Sequence, residues 1–206
     1  QQIVTTVRQV RALAPDTRLL HLQTPRSHRL RFLAGQSVTL GLPGSASTAG
    51  DDVQATLPIA SCPCDDRNLQ FFVPRDHASA LARLLFDGSV QNGQSINLWG
   101  PVGDFVLADS PRPLVFAACD TGFAPIKSLI EHAMAAESVE RLALHWLATR
   151  PDGHYLANQC DAWADALEGA EVDTEPTDTL RLSITIDLMS GQIEGTVDNE
   201  DEVLPE

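Results

Sequence analysis

The sequence predicts a β + α/β protein: an N-terminal antiparallel β-barrel in residues 1–110, followed by a C-terminal parallel α/β domain in residues 111–206. Three observations carry this. Short β-branched runs punctuated by Gly and Pro fill the first part. Past Ser110-Pro111-Arg112 the pattern changes to continuous apolar runs alternating with helical periodicity. Charge changes at the same place: residues 1–112 carry 9 acids and 10 bases, and residues 113–206 carry 19 acids and 4 bases.

Taken in order, Ile3 to Val10 is rich in β-branched residues, and Arg18 to Leu22 follows the Pro15-Asp16 turn. Further strands are expected at Ser37–Leu40, Gln70–Val73 and Ser95–Trp99. Gly44 to Asp52 has the Gly, Ser and Ala content of a surface loop. One helix is expected over Ala78–Phe86, ended by Asp87-Gly88. In the second part, Pro113 to Ala118 is an apolar run expected to be a strand buried on both faces. Ile126, Leu129, Ile130 and Ala133 then repeat at helical spacing, Arg141–Ala148 is a second strand, and Ala157–Leu167 is an amphipathic helix. Strand, turn, helix, strand, helix is the signature of a parallel α/β unit. Leu182 to Met189 alternates like a strand. Much of Glu171–Glu206, with eleven acids against Arg181 alone, is expected to be a solvated or disordered acidic segment.

Composition removes several function classes. A net charge of -14 leaves no basic surface for phosphates, so nucleic acid is not an expected partner. No run of about 18 apolar residues exists to span a membrane. Gln1-Gln2-Ile3-Val4 lacks the basic and apolar regions of a signal peptide, and without an initiator Met the chain is expected to begin inside a longer polypeptide. Four scattered cysteines, Cys62, Cys64, Cys119 and Cys160, make no disulfide framework and no four-ligand metal set. Reduced thiols in a cytoplasmic protein are the expectation.

Three segments stand out. Phe32-Leu33-Ala34-Gly35-Gln36-Ser37-Val38 precedes a strand, and Gly100-Pro101-Val102-Gly103-Asp104-Phe105 closes the first part. Each alone reads as a turn, with Gly supplying unusual backbone angles and Pro setting the entry. Cys119-Asp120-Thr121-Gly122-Phe123-Ala124-Pro125-Ile126 joins an apolar strand to a helix. Such a junction presents backbone N–H groups and a positive helix end to a phosphate or carboxamide.

In order and spacing, Phe-x-x-Gly-Gln, then Ile59-Ala60-Ser61, which the resemblance makes a strand start, then Gly-Pro-x-Gly-x-Phe, then Thr-Gly-Phe-Ala-Pro-Ile resembles the ferredoxin–NADP reductase superfamily. The likeness is greatest to the flavin modules of bacterial oxygenase reductases and glucoseen reductases, over about residues 3–168. His145 to Arg150, His154-Tyr155-Leu156 and Trp163-Ala164 are also similar to that group. The resemblance implies an FAD-binding barrel and an NAD(P)-binding domain. Hydride then enters at the nicotinamide and single electrons leave the flavin for an iron–sulfur or oxygenase acceptor. It carries the flavin side onto Thr56, Leu57, Pro58, Ile59, Ser61, Val73 and Arg75, and the nicotinamide side onto Thr121, Gly122, Phe123, Ala124, Pro125 and Arg150. No side chain is assigned a catalytic role and no metal is expected, because the cofactors carry the chemistry.

The chain departs from that pattern at several positions. The family's flavin signature, Arg-x-Tyr-Ser/Thr, corresponds to Ala55-Thr56-Leu57-Pro58, which removes the Arg–phosphate pair and the Tyr that packs on the flavin ring. Backbone donors of Ile59 to Cys62 and the guanidinium of Arg75 are the expected replacements. Cys119 and Asp120 stand where the family has Gly-Gly, and no Cys-Gly-Pro-Pro segment occurs before Glu206. Arg150 and Lys127 are the cations placed to meet an adenosine phosphate, each also readable as a solvated surface charge. The acidic second part favours NADH over NADPH, and FMN in place of FAD stays open. The losses also raise the alternative of a reductase-like domain without cofactors that serves as a binding or assembly module.

Overall fold

The computed structural model describes residues 2–42, 53–107, 114–136, 141–150, 152–165, 180–187 and 193–199. They form two compact units, Gln1–Ala108 with Ala124–Ala135, and Asp109–Phe123 with Ala136–Glu206.

The first unit is built on β1 (Gln2–Ala14), β2 (Thr17–Gln23), β3 (Ser37–Leu42), β4 (Val53–Pro58), β5 (Asn68–Pro74) and β6 (Ser95–Val102). They make one antiparallel sheet in the order β4-β3-β6-β1-β2-β5. Alternation sets its faces: Ile3, Thr5 and Val7 of β1 point inward, and the hydroxyl of Thr5 donates to the Ile96 carbonyl at 2.8 Å, so a buried polar group is satisfied. Leu20, Leu22, Val38, Leu40, Phe71 and Leu98 fill the core. The two edges are joined just past β4, where the Ala60 N–H donates to the Gln70 carbonyl of β5 at 2.8 Å. This curls the sheet toward a barrel. Helix α1 (Ala80–Phe86) starts at Ser79, whose hydroxyl accepts the Ala82 N–H, and buries Leu81, Ala82 and Leu85.

The second unit holds β7 (Leu114–Cys119), a 3-10 turn (Asp120–Gly122), β8 (Arg141–Leu147), α3 (Ala157–Asp165), β9 (Leu180–Asp187) and β10 (Ile193–Asn199). Helix α2 (Phe123–Ala135) begins in it and continues in the first unit. The sheet order is β10-β9-β8-β7, with β7 and β8 parallel and the other pairs antiparallel.

Several expectations are corrected. Ile59-Ala60-Ser61 does not start a strand: the strand is β4, which ends at Pro58, and Ile59 then bonds across to Gln36. β7 is covered on one face only, since Phe116 and Ala118 are buried while Val115 and Ala117 are exposed. An apolar run by itself does not separate one-face from two-face burial. Within the acidic segment the strand expected at Leu182–Met189 is β9, at Leu180–Asp187, which pairs with β8, and β10, which was not expected, pairs in turn with β9. The reduced-thiol expectation fails at Cys62 and Cys64, which are joined in a disulfide, while Cys119 and Cys160 are free. One intervening residue brings their Cα atoms to 5.2 Å, within bridging range. The Gly44–Asp52 loop lies outside the described residues. Among those residues no helix is long and apolar enough to cross a membrane.

Candidate functional site

On the flavin side, β4 runs against β3 in the register Val38↔Leu57 and Thr39↔Thr56. Thr56 therefore faces outward, its hydroxyl 2.9 Å from that of Thr39. Leu57 and Ala55 share the other face and pack against the barrel core, as Val73 of β5 does more deeply. Pro58 ends the strand, and Ile59 is fully buried with its N–H given to the Gln36 carbonyl at 3.0 Å. Ser61 is buried, its hydroxyl accepting the Gln70 N–H at 3.2 Å. Arg75 is committed elsewhere: its Nε donates to Asp16 at 2.8 Å and its Nη2 to the Pro15 carbonyl at 3.2 Å. Its guanidinium lies over the Phe86 ring, with Arg18 over the same ring. Arg75 also lines a cavity of about 290 Å³ together with His77, Arg83 and Phe86. Of the expected replacements, the Ile59 and Ala60 N–H groups are taken by carbonyls and Arg75 by Asp16. Residues at the signature do not fit a flavin phosphate held through a cation in the family's manner.

The chain does build a support for the segment after β4. Lys127 of α2 is 4% exposed and donates through Nζ to the Ala60 carbonyl at 3.3 Å and to Glu131 at 2.7 Å. Ser128 is fully buried and donates to the Ser61 carbonyl at 2.7 Å. Lys127 is therefore neither a surface charge nor placed for an adenosine phosphate. The i,i+4 spacing of Lys127 and Glu131 was the signal available in the sequence. Lys127→Ala is expected to cost about 1–2 kcal/mol, since it removes a largely buried ion pair and the hydrogen bond to the Ala60 carbonyl. A urea unfolding curve indistinguishable from that of the parent protein would contradict this.

On the nicotinamide side, the turn from β7 into α2 has Asp120 at φ 46, the left-handed region that favours the glycine of the family pattern. Its strain is offset locally. The Asp120 carboxylate accepts the Thr149 N–H at 2.9 Å and the Thr149 hydroxyl at 2.7 Å, and its carbonyl accepts Trp146 Nε1 at 3.0 Å. The acid is thus turned onto the loop after β8. A Cβ at Gly122 would meet nothing within 4 Å, so space above the turn is open beside half-buried Thr121. Phe123 and Ala124 are fully buried, and Phe123 stacks on Trp146 with ring centroids 3.9 Å apart. Pro125 is half-buried in the first turn of α2, and Arg150 is exposed, its carbonyl accepting the Gly153 N–H at 2.9 Å. His154 Nε2 donates to the Trp146 carbonyl at 2.7 Å. Trp146, Thr149 and His154 shape this turn, and nothing in their spacing reveals the contacts to Asp120.

Cys119, exposed at the end of β7, has its thiol pushed above its ordinary value of 9.0, first by partial desolvation and then by the Asp120 carboxylate. Its thiolate fraction near neutrality is correspondingly small. Iodoacetamide labelling of Cys119 is expected to go on accelerating above pH 9.0, and a rate already level at pH 8 would contradict it.

An antiparallel barrel-type sheet followed by an α/β unit is the arrangement of the ferredoxin–NADP reductase-like fold. No family model matches the chain. It is similar to the terephthalate 1,2-dioxygenase reductase component 2 of Comamonas sp, 32% identical over 155 residues, covering 73% of this chain and 42% of that protein. The CDP-6-deoxy-L-threo-D-glycero-4-hexulose-3-dehydrase reductase of Yersinia pestis is 26% identical over 153 residues, covering 74% of this chain and 43% of the relative. The Amycolatopsis cytochrome P450 reductase GcoB superposes with a TM-score of 0.69 at 28% identity, over 80% of this chain and 48% of that one. The chain spans less than half the length of each of these proteins. In sequence and in fold it is a ferredoxin–NADP reductase-like module, akin to the reductase components of bacterial oxygenases.

Proposed function

We propose that the chain is the flavin- and nicotinamide-binding reductase module of a cytoplasmic electron-transfer enzyme. It takes hydride from NADH and passes electrons through FAD to an iron–sulfur or oxygenase partner. The observation that carries this is the 155-residue likeness to a dioxygenase reductase component, in a chain that forms both the barrel-type sheet and the open nucleotide turn. In this reading residues 1–110 hold the flavin and residues 111–206 the nicotinamide. The backbone at Thr121 and Gly122 meets the nucleotide, with Arg150 as the nearby cation. NADH is favoured over NADPH because the second part has 19 acids against 4 bases, a poor surface for a 2′-phosphate.

A second reading is favoured by a specific observation. Ala55 and Leu57 are packed on the core and Arg75 is held by Asp16, so Arg75 is not a spare cation in place of the lost one. A reductase-like domain that has given up its cofactors and works as a binding or assembly module would look like this. The visible spectrum of the purified chain, before and after anaerobic addition of NADH, separates the two. A flavin band that bleaches supports the reductase. A colourless protein that takes up no FAD on incubation sinks it in favour of the module.

A further inference from the structure

The thiols of Cys62 and Cys64 have no part in either reading, yet the two sulfurs are joined. Stabilisation from a cross-link grows with the length of chain it closes, and three residues is the short extreme, so this bond contributes little as a staple. The segment is anchored without it. The Ala60 N–H donates to the Gln70 carbonyl at 2.8 Å, the Asp65 N–H to the Cys62 carbonyl at 3.1 Å, and Ser128 to the Ser61 carbonyl at 2.7 Å.

On this fixed backbone the two sulfurs are unequal. Cys62 is 6% exposed, whereas Cys64 is exposed. The Cys64 N–H donates to Cys62 Sγ at 3.2 Å. Disulfide exchange requires an attacking thiolate to reach one sulfur and expel the other as a thiolate. Exposure selects Cys64 Sγ for attack, and the N–H donor on Cys62 Sγ stabilises the charge that sulfur acquires on leaving. Where a cell keeps thiols reduced, a protein disulfide is usually transient, serving catalysis or redox sensing.

We propose that Cys62–Cys64 is a thiol–disulfide exchange site for low-molecular-weight thiols, with Cys64 as the entry sulfur and Cys62 as the leaving sulfur. A thiolate forms a bond to Cys64 Sγ while the Cys62–Cys64 bond breaks. The electron pair passes to Cys62 Sγ, which takes a proton from water. A second thiol attacks the mixed disulfide at the small-molecule sulfur, releasing a small-molecule disulfide and leaving Cys64 as a thiol. In balance, two thiols are oxidised to one disulfide and the protein disulfide is reduced to two thiols.

The full chain is incubated with reduced glutathione, acid-quenched and capped with N-ethylmaleimide. The tryptic peptide 32–67, which carries both cysteines and neither of the others, is then sequenced by mass spectrometry. The expected intermediate has glutathione on Cys64 and maleimide on Cys62. With oxidised glutathione, Cys64 in a Cys62→Ser protein is expected to be modified about tenfold faster than Cys62 in a Cys64→Ser protein. Glutathione found on Cys62 of the parent chain, equal rates in the two variants, or two free thiols in air-equilibrated protein would each overturn the proposal. Trapping on the parent chain does not depend on either variant folding.

Discussion

Trp146→Ala is expected to destabilise the α/β unit by about 3–5 kcal/mol, the usual cost of emptying a buried aromatic site. Trp146 has no exposed surface. One face stacks on Phe123 at 3.9 Å, and His154 and Tyr155 approach it edge-on at 5.1 and 5.2 Å. Its indole N–H also holds the Asp120 carbonyl at 3.0 Å, so the same substitution releases the residue that sits at positive φ in the open turn. Loss of packing and loss of the turn should therefore appear together. Hydrogen exchange on the full chain reads this out. Amides of β7 and β8 should exchange faster while those of β5, in the other unit, keep their protection. Unchanged protection in β7 and β8 would show that the cluster is not what holds the unit. Trp146→Phe retains a ring for Phe123 and loses the N–H, and is expected to cost about 1 kcal/mol for that hydrogen bond, plus a smaller packing loss.

What the sequence makes legible follows from how local the causes are. β1, β2, β3, β5 and β6 announce themselves because short runs of apolar and β-branched residues are bounded by turn residues within a few positions. α1 does so because Ser79 supplies its cap next to the residues it caps. β4 is hidden: Ala-Thr-Leu-Pro has little strand propensity, and the register with β3 makes it a strand. α2 starts at Phe123 and not at Ile126, since Pro125 sits in the first turn, where its missing N–H is not needed. The open turn at Thr121-Gly122 is likewise local, and it is where the sequence places it. What closes around it is not. Asp120 meets Thr149 across 29 positions, Arg75 meets Asp16 across 59, and Lys127 meets Ala60 across 67. No periodicity encodes such pairs, so Arg75 and Lys127, two cations on which a phosphate reading would lean, turn out to be engaged with their own protein.

Gly35→Ala is expected to cost about 2–4 kcal/mol, from backbone strain and steric conflict together. Gly35 has φ 90, and a Cβ there would collide with the carbonyl oxygen of Phe105, a backbone atom with little room to yield. Gln36 beside it ties three separate stretches together. Its Nε2 donates to the Gly103 carbonyl at 3.0 Å, its Oε1 accepts the Leu33 N–H at 2.9 Å, and its own carbonyl accepts the Ile59 N–H at 3.0 Å. The Phe-x-x-Gly-Gln and Gly-Pro-x-Gly-x-Phe segments, 67 residues apart, are thus two sides of one contact. Gly88 is the natural control. It has φ 81, but a Cβ there meets nothing within 4 Å, so Gly88→Ala should show only the left-handed backbone cost of about 1–2 kcal/mol. Urea midpoints of the two variants separate the contributions. Equal losses would mean that the approach to Phe105 relaxes without cost. A larger loss at Gly35 would mean that this part of the signature is retained by packing, whether or not a flavin is bound.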